Sequence, residues 1–426
     1  MKKIILLSSL AFAGSISVLA QSGTNSPYSQ YGFGVLSEQS QGFNRGMNGL
    51  ALGLRYHNQV NVQNPASYSA IDSLTMIFDV GLSGQITSFE ENGRKLNANN
   101  ADFEYAVGAF RLLPNIGVGF GLIPFTSIGY SYTNKPDTRL SSVSFTETHT
   151  GSGGLHQAFV GVGWCFLKEF SVGANFSYLW GSYDRSISIA STDGNVNTEV
   201  KSYTASVNSY KVDFGLQWQR KMLKDGLLTV GATYGVGHNL HADAEYKTSS
   251  TNSQTGVITE PPASVVNNAL SIPHTFGLGV SWKHADRLTV GADYTLQKWG
   301  SLDFPEINSL TGDYVMKGGL LKDRSKFTLG CEWVPNPLSQ HFLSRVNYRV
   351  GASMATPYIK VNGNDGPKEY SVSAGFGIPV SKGRSYFNLS GQWVHASSTG
   401  LITENTFRVN IGITFNERWF MKWKVE

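Results

Sequence analysis

The sequence is poor in charged residues and nearly free of cysteine. Asp, Glu, Lys and Arg form 15% of the 426 residues, against about 25% in ordinary soluble proteins. Cys165 and Cys331 are the only cysteines and lie in distant predicted strands, so no disulfide framework is predicted. The formal charge is +4, and without Lys2 and Lys3 it is about +2 (4 − 2), which is too small to favour nucleic acid as a partner.

Long hydrophobic runs are missing beyond the N-terminus. Met1–Ala20 has two lysines, an apolar stretch and a small-residue end, which is the pattern of a cleaved secretory signal. No cysteine follows it to carry a lipid, and the rest of the chain has no run of about 18 apolar residues, the length of a membrane helix. These features predict an exported chain without a helical anchor.

Catalytic and metal-binding motifs are also missing. The nine histidines show no HExxH spacing, and no Gly-x-Ser-x-Gly elbow occurs. We therefore predict no enzyme activity, no metal and no cofactor. One enzymatic alternative stays open, a barrel hydrolase with His238, His241 and Asp243 near an outer strand end, against the simpler reading of a polar rim.

What the chain does have is a regular alternation of apolar and polar residues after residue 73. Phe78, Val80 and Leu82 fall on one face of the first run, whereas Asp79 and Ser83 fall on the other. Strand side chains alternate between two faces, so this pattern indicates one apolar and one polar face. Aromatic residues at 12% and 47 glycines are typical of barrels with a lipid-facing surface.

The alternation continues through fourteen predicted strands. They are 74–87, 103–113, 115–132, 155–167, 170–184, 206–220, 227–239, 272–284, 287–300, 324–335, 345–355, 370–380, 384–396 and 406–416. Short links alternate with long links, and the long links are 88–102, 133–154, 185–205, 240–271, 301–323, 356–369 and 397–405. Outer-membrane barrels sort their connections in this way, with tight turns on the periplasmic side.

These observations predict an all-β fold, a membrane-spanning antiparallel β-barrel over residues 74–417. Closure is required because unpaired edge groups are costly in hydrocarbon. Residues 418–426 are expected to form a periplasmic tail. Residues 21–73 lack the alternation but carry apolar anchors, so we predict an N-terminal plug, called the hatch, inside the barrel; a disordered periplasmic tail is the alternative.

Three stretches resemble the FadL family of outer-membrane transporters for long-chain fatty acids and other hydrophobic molecules. They are Asn44–Ala51 followed by Asn64-Pro65-Ala66, then Gly117–Phe125, and finally Ile272–Val280 continuing to Ala292-Asp293-Tyr294 and Trp299. The sequence departs from the family at Ser67, where glycine is common, and in its charged C-terminal tail.

The resemblance implies uptake of hydrophobic small molecules through hatch movement. The hatch offers candidate ligand-binding residues: Phe33, Phe43, Arg45, Met47, Leu50 and Leu52. The Arg45 guanidinium suits a carboxylate head group, but bonding to loop carbonyls or to acidic residues of the barrel wall is the alternative. The hatch motif Asn64, Pro65 and Ala66 is expected to shape the entry into the first strand.

Pro124 interrupts a run that otherwise predicts a central strand. Because proline cannot donate to the ladder, a bulge or kink is expected there. In the resembled family such a kink opens the wall, so Pro124 and Phe125 are predicted to form a lateral gate; a simple bulge is the alternative.

The predicted partners are membrane lipids, a hydrophobic small-molecule cargo and the outer-membrane assembly machinery that inserts the barrel, with the chain itself a monomer. The alternative function is a FadL-like barrel that acts as a docking or structural component in envelope secretion or assembly.

Overall fold

The computed structural model describes residues 23–136, 144–222, 225–308, 311–380 and 384–419. The predicted signal segment 1–20 and residues 420–426 of the predicted tail lie outside the described residues. Among the helices in the described ranges, none has the length and hydropathy needed to cross a membrane.

Fourteen antiparallel strands close into a barrel within the described residues, and an N-terminal segment fills it, which confirms the predicted fold. The first and last strands pair from Met76 with Glu417 to Glu90 with Thr403. The barrel strands β1 to β14 are Met76–Glu91, Arg94–Leu113, Ile116–Pro124 continued by Thr126–Asn134, Phe145–Cys165, Phe170–Ser191, Thr198–Met222, Gly226–Gly235, Thr275–His284, Leu288–Gln297, Arg324–Trp333, Asn347–Ala355, Lys368–Val380, Ser385–Ser397 and Thr403–Glu417.

The apolar face of the strands points outward and the polar face points into the lumen, as the sequence predicts. In β1 Leu82 and Ile86 are exposed at 53% and 54%, whereas Asp79 and Ser83 are buried. The barrel is thus apolar outside and polar inside, the reverse of a soluble globule. That inversion is the pattern that a lipid solvent requires.

Several strands are longer than predicted, because parts of the predicted loops 88–102, 133–154 and 185–205 are strand. β1 and β2 continue to a two-residue turn, Asn92-Gly93, where φ is 49° and 78°. Asn-Gly is the preferred sequence of such tight hairpin turns, and this signal was missed. The Ser- and Thr-rich ends of β4, β5 and β6 also pair with one another. β-branched and hydroxyl side chains are compatible with paired strands that are exposed to solvent.

The barrel has two different ends. The short-turn end holds connections such as 114–115, 166–169 and 285–287, whereas the long-loop end holds connections such as 236–274 and 298–323. Small elements decorate the long-loop end: His238–Asn239, Ala244–Thr251, Ile258–Thr259, Ser264–Val266, Ser271–Ile272, Trp299–Ser301, Phe304–Ile307, Tyr314–Lys317, Lys360–Val361 and Asn364–Asp365.

The hatch runs through the barrel from the long-loop end to the short-turn end. It contains the 3₁₀ turn Pro27–Gln30, the strand Val35–Leu36, the short α-helix Gly42–Arg45 and the 3₁₀ helix Pro65–Ala70. Ser26 Oγ donates to Glu404 near the start of β14, and the main chain of Tyr68 lies against Gly117 near the start of β3. The hatch therefore occupies the whole height of the lumen.

Glycines on the inner wall let the hatch backbone approach closely. A Cβ at Gly231 would overlap the main-chain oxygen of Leu52, and one at Gly351 would overlap the main chain of Met47. We call this set the glycine belt; its members are Gly117, Gly163, Gly173, Gly215, Gly231, Gly279, Gly351 and Gly375. The abundance of glycine thus has a packing cause as well as a turn cause.

Candidate functional site between the hatch and the barrel wall

The barrel wall is interrupted at Pro124 and Phe125. β3 pairs with β2 as far as Leu122, opposite Ala106, and among the described residues its second half, Thr126–Asn134, pairs with β4 and not with β2. Pro124 lies opposite His156 and Ile128 opposite Gly153, so β3 has one extra residue and bulges between them. The interruption expected from the proline is present at the predicted position.

A piece of the hatch takes the place that β2 leaves. Val35 and Leu36 pair antiparallel with Ser127 and Thr126. The Ser37 main-chain N–H donates to Phe125 O at 3.0 Å. The seam between β2 and the second half of β3 is therefore lined by residues of the hatch.

Polar side chains of the wall bind the hatch main chain at mid-height. Asp293 of β9 accepts hydrogen bonds from the N–H groups of Ala51 and Leu52 at 2.6 and 2.8 Å through one carboxylate oxygen. Gln217 of β6 donates to the carbonyls of Leu52 and Leu54 at 3.2 and 3.0 Å. Irregular backbone needs such partners when it is buried, because an unsatisfied main-chain group costs free energy.

The hatch motif forms part of the same attachment. The Asn64 side chain caps the helix Pro65–Ala70 by accepting from Ala66 N, and it donates to Leu52 O at 2.8 Å. It also donates to Leu216 O in the wall. The Asn64 side chain thus caps the last helix of the hatch and ties it to β6.

Buried ion pairs join the hatch to the wall and charged groups of the wall to one another. Arg45 pairs with Glu104 of β2 at 2.6 Å, and Glu38 pairs with Lys326 of β10 at 3.0 Å. Within the wall, Arg349 pairs with Glu332 at 2.6 Å. Burial by itself would raise the pKa of Glu38, but Lys326 and Arg45 outweigh it and lower that pKa to about 2. The hatch is therefore held by charge as well as by hydrogen bonds.

Arg45 is engaged by protein groups. Besides Glu104, its guanidinium donates to the carbonyls of Ser40 and Glu38, each at 3.3 Å. The sequence left open a ligand carboxylate on the one hand, and loop carbonyls or wall acids on the other; in the structure Arg45 has partners of the second kind. A carboxylate ligand would have to displace Glu104 from Arg45.

Two cavities of about 170 Å³ each lie between hatch and wall. The outer cavity is lined by charged side chains: Glu38, Asp102, Glu104, Arg324, Glu369, Glu404 and Arg408. The inner cavity borders the wall interruption and is more apolar, with Leu52, Val62, Phe125, Phe159 and Trp299 in its lining. Both are smaller than ordinary ligand pockets, which measure about 300–1,000 Å³.

The structure separates the six hatch residues predicted to bind a ligand. Phe43, Met47 and Leu50 are at most 1% exposed and pack on Leu54 in the hatch's own core. Phe33 lies in an aromatic cluster at the long-loop end, with its ring 5.5 Å from Trp299 and 5.7 Å from Phe304. Leu52 lines the inner cavity together with Phe125 of the predicted gate. A ligand role for these residues stays a prediction.

The predicted histidine alternative finds ordinary structural partners. The His238 ring stacks on Tyr210 with centroids 4.3 Å apart, and His241 Nδ1 lies 3.2 Å from Asn268 Oδ1. Asp243 accepts from Asn268 N at 2.9 Å. Within the described residues, no group of three or more His, Cys, Asp or Glu side chains is placed to hold a metal ion.

Sequence reasoning missed the wall residues that bind the hatch. Asp293, Glu104 and Gln217 all occupy inward positions of strands. The available signal was a carboxylate or amide at such a position, since a charged group facing a lumen needs a partner. The glycine belt could have been predicted in a similar way, from glycines at inward positions of the strands.

Solved structures of bacterial proteins share this fold. A Pseudomonas aeruginosa FadL homologue has a TM-score of 0.66 at 11% identity, covering 89% of this chain and 99% of that chain. The P. putida toluene transporter TodX has a TM-score of 0.62 at 15% identity over 90% and 100%. The Ralstonia pickettii toluene transporter TbuX has a TM-score of 0.60 at 15% identity over 88% and 98%.

These likenesses agree with the FadL resemblance at the level of fold. The chain matches no curated protein. A family model named BamG matches residues 1–426, the whole chain. This protein therefore belongs to the BamG family.

Proposed function

We propose that this protein is a FadL-fold barrel of the bacterial outer membrane that serves as a docking and structural component of envelope assembly. The observation that carries the proposal is the attachment of the hatch along the whole height of the lumen. Asp293, Gln217 and Glu104 each bind it, and the glycine belt leaves little space around it. Membership of the BamG family supports the proposal, since the family hints at a link to the outer-membrane assembly machinery.

A fixed hatch makes the barrel a stiff body with long outer strands. Buried hydrogen bonds and ion pairs inside the lumen oppose movement of the hatch, because each broken pair leaves a polar group unsatisfied. The cavities are small, and the outer one is lined by charged groups, which suits water better than an alkyl chain. A stiff barrel is a suitable docking partner for other envelope proteins.

The test is association with the outer-membrane assembly machinery in native membranes. A tagged chain is extracted in mild detergent, and subunits of the machinery are quantified by immunodetection beside an equally abundant, unrelated tagged barrel. Enrichment over that control, together with slower folding of other outer-membrane barrels after depletion of the chain, is expected. Equal recovery with both tags and unchanged barrel folding would refute the proposal.

Uptake of hydrophobic small molecules is the second candidate, with long-chain fatty acids as one cargo class. The interruption of β3 beside a partly apolar cavity favours uptake, because a hydrophobic molecule could leave the lumen laterally into the membrane. TodX and TbuX, which share this fold, are toluene transporters. Hatch rearrangement and lateral release through the seam at Pro124 and Phe125 would be the mechanism.

One locked variant separates the two candidates. Val35 and Ser127 are antiparallel partners, with Cα atoms expected about 4.5–5.5 Å apart, within the range that a disulfide spans. The native thiols are first removed by Cys165→Ser and Cys331→Ser. Cysteines are then introduced by Val35→Cys and Ser127→Cys and oxidised to a disulfide. Docking predicts unchanged association with the machinery, whereas uptake predicts that fatty-acid or toluene entry falls on oxidation and returns on reduction.

A further inference from the structure

One connection at the short-turn end differs from the others. The β10–β11 turn, residues 334–346, follows Trp333 and precedes Asn347, whereas the β2–β3 turn comprises residues 114–115 alone. It exposes large apolar side chains: Leu338 is 93% exposed, Leu343 68% and Phe342 49%. Turns of this kind normally carry polar residues, so these side chains require a partner.

The β10–β11 turn has a defined structure. Asn336 N donates to Ser344 O at 2.8 Å and closes the base of the turn, and Ser339 N donates to Asn336 O. The residues Leu343–Arg345 form a 3₁₀ helix. Val334 and Val346 are buried at the two ends of the turn. The apolar side chains are therefore displayed by an ordered support.

The turn rests on the outer side of the barrel. The Tyr348 hydroxyl donates to Leu343 O at 3.1 Å, and Tyr348 shares its face of β11 with the outward residues Val350 and Met354, which are 56% and 47% exposed. The turn thus adjoins the apolar surface of the strands rather than the mouth of the lumen.

Aromatic rings mark the edge of that surface at the same place. The Trp333 ring lies 5.7 Å from Tyr348, and Tyr348 lies 5.8 Å from Phe376 in β12. Trp and Tyr gather where hydrocarbon gives way to head groups. Leu338, Phe342 and Leu343 therefore continue a lipid-facing surface at the level of the head groups.

We propose that the β10–β11 turn is a membrane anchor that inserts Leu338, Phe342 and Leu343 into the phospholipid leaflet at the short-turn end. Phospholipid is the partner that fits, because the turn is hydrogen-bonded to Tyr348 on the outward face of β11 and adjoins the aromatic rings that mark the edge of the lipid-facing wall. His341 and Arg345 lie beside these residues and can face phosphate groups. This anchor requires only the barrel fold and is independent of the proposed function.

The test measures the depth of a nitroxide label in lipid nanodiscs of phosphatidylethanolamine and phosphatidylglycerol. The label is placed at Leu338→Cys, and in a second protein at Phe342→Cys, in the background with Cys165→Ser and Cys331→Ser. The control label is at Asp286→Cys in the β8–β9 turn, where the native side chain is 79% exposed. Collision with oxygen and with a water-soluble nickel chelate is read by electron paramagnetic resonance.

At positions 338 and 342 oxygen collisions are expected to exceed nickel collisions severalfold, with the ratio reversed at position 286. Nickel access at 338 and 342 equal to that at 286 would overturn the proposal, since the turn would then lie in water. Protection from both reagents would overturn it as well, because it would mean that protein covers the patch.

Discussion

The main-chain N–H of Leu52 in the hatch donates to the Asp293 carboxylate of β9 at 2.8 Å, and the N–H of Ala51 donates to the same oxygen. The two partners are 241 residues apart in sequence. A buried carboxylate that accepts two adjacent main-chain donors binds the backbone more strongly than a neutral side chain would. This contact fixes the middle of the hatch to the wall.

Replacing Asp293 with Ala should loosen the hatch. Two buried N–H groups lose their acceptor, and each unsatisfied group costs about 1–3 kcal/mol. We expect faster amide hydrogen exchange and faster proteolysis over hatch residues 46–56, measured on the purified protein in detergent.

Asp293→Asn serves as the matched variant, since its amide oxygen can still accept while the charge is gone. An intermediate effect is expected. If Asp293→Ala left exchange in residues 46–56 unchanged, the attachment would lie elsewhere.

Breaking the Arg45–Glu104 pair on one side should cost more than removing both charges. Arg45→Met leaves a buried carboxylate unpaired, for which about 3–5 kcal/mol is expected. The double variant Arg45→Met with Glu104→Gln should recover part of that loss. Chemical unfolding in detergent gives both values.

The exposed pair Lys95–Glu90, at 3.3 Å, provides the comparison. Lys95→Met should change stability by less than about 1 kcal/mol, as is usual for surface pairs. Equal costs at Arg45 and Lys95 would mean that the lumen pair is as well solvated as the surface one.

The glycine belt predicts that a small side chain displaces the hatch. A Cβ at Gly351 would overlap the main chain of Met47, so Gly351→Ala should expose the hatch to added protease while the barrel remains folded, as judged by heat-modifiable migration on gels.

Gly84 of β1 is the control, because a Cβ there meets nothing within 4 Å. Gly84→Ala should leave hatch proteolysis unchanged. The same sensitivity in both variants would remove the belt as the cause.

Arginine on the lipid face should destabilise the barrel according to depth. Leu82 in the middle of β1 is 53% exposed, and Leu82→Arg there should cost about 2–4 kcal/mol, the value typical of a charge near the bilayer centre. Reversible unfolding in lipid vesicles measures this.

Leu96 lies near the Asn92-Gly93 turn and is 70% exposed. Leu96→Arg should cost close to nothing, because the position projects past the hydrocarbon. A similar penalty at both sites would mean that the lipid boundary lies further toward that turn.

The sequence by itself determined the barrel. Alternation in each strand, as at Asp79, Val80, Leu82 and Ser83 of β1, depends on local composition and on the two-residue period of a strand. The number of strands follows from counting the alternating segments. Closure of the sheet into a barrel follows because unpaired sheet edges are costly in lipid. The interruption at Pro124 was also predictable, since proline removes a donor in any strand.

The tertiary structure decided which residues meet inside. Whether Asp293 faces Leu52, or Glu104 faces Arg45, depends on strand register and on the path of an irregular segment through the lumen. Those contacts join distant residues and leave no periodic trace in the sequence. The placement of the β10–β11 turn was likewise decided by the tertiary structure, in which the Tyr348 hydroxyl donates to Leu343 O and Leu338 stays exposed. An apolar residue in a turn has no preferred direction until the neighbouring strands are in place.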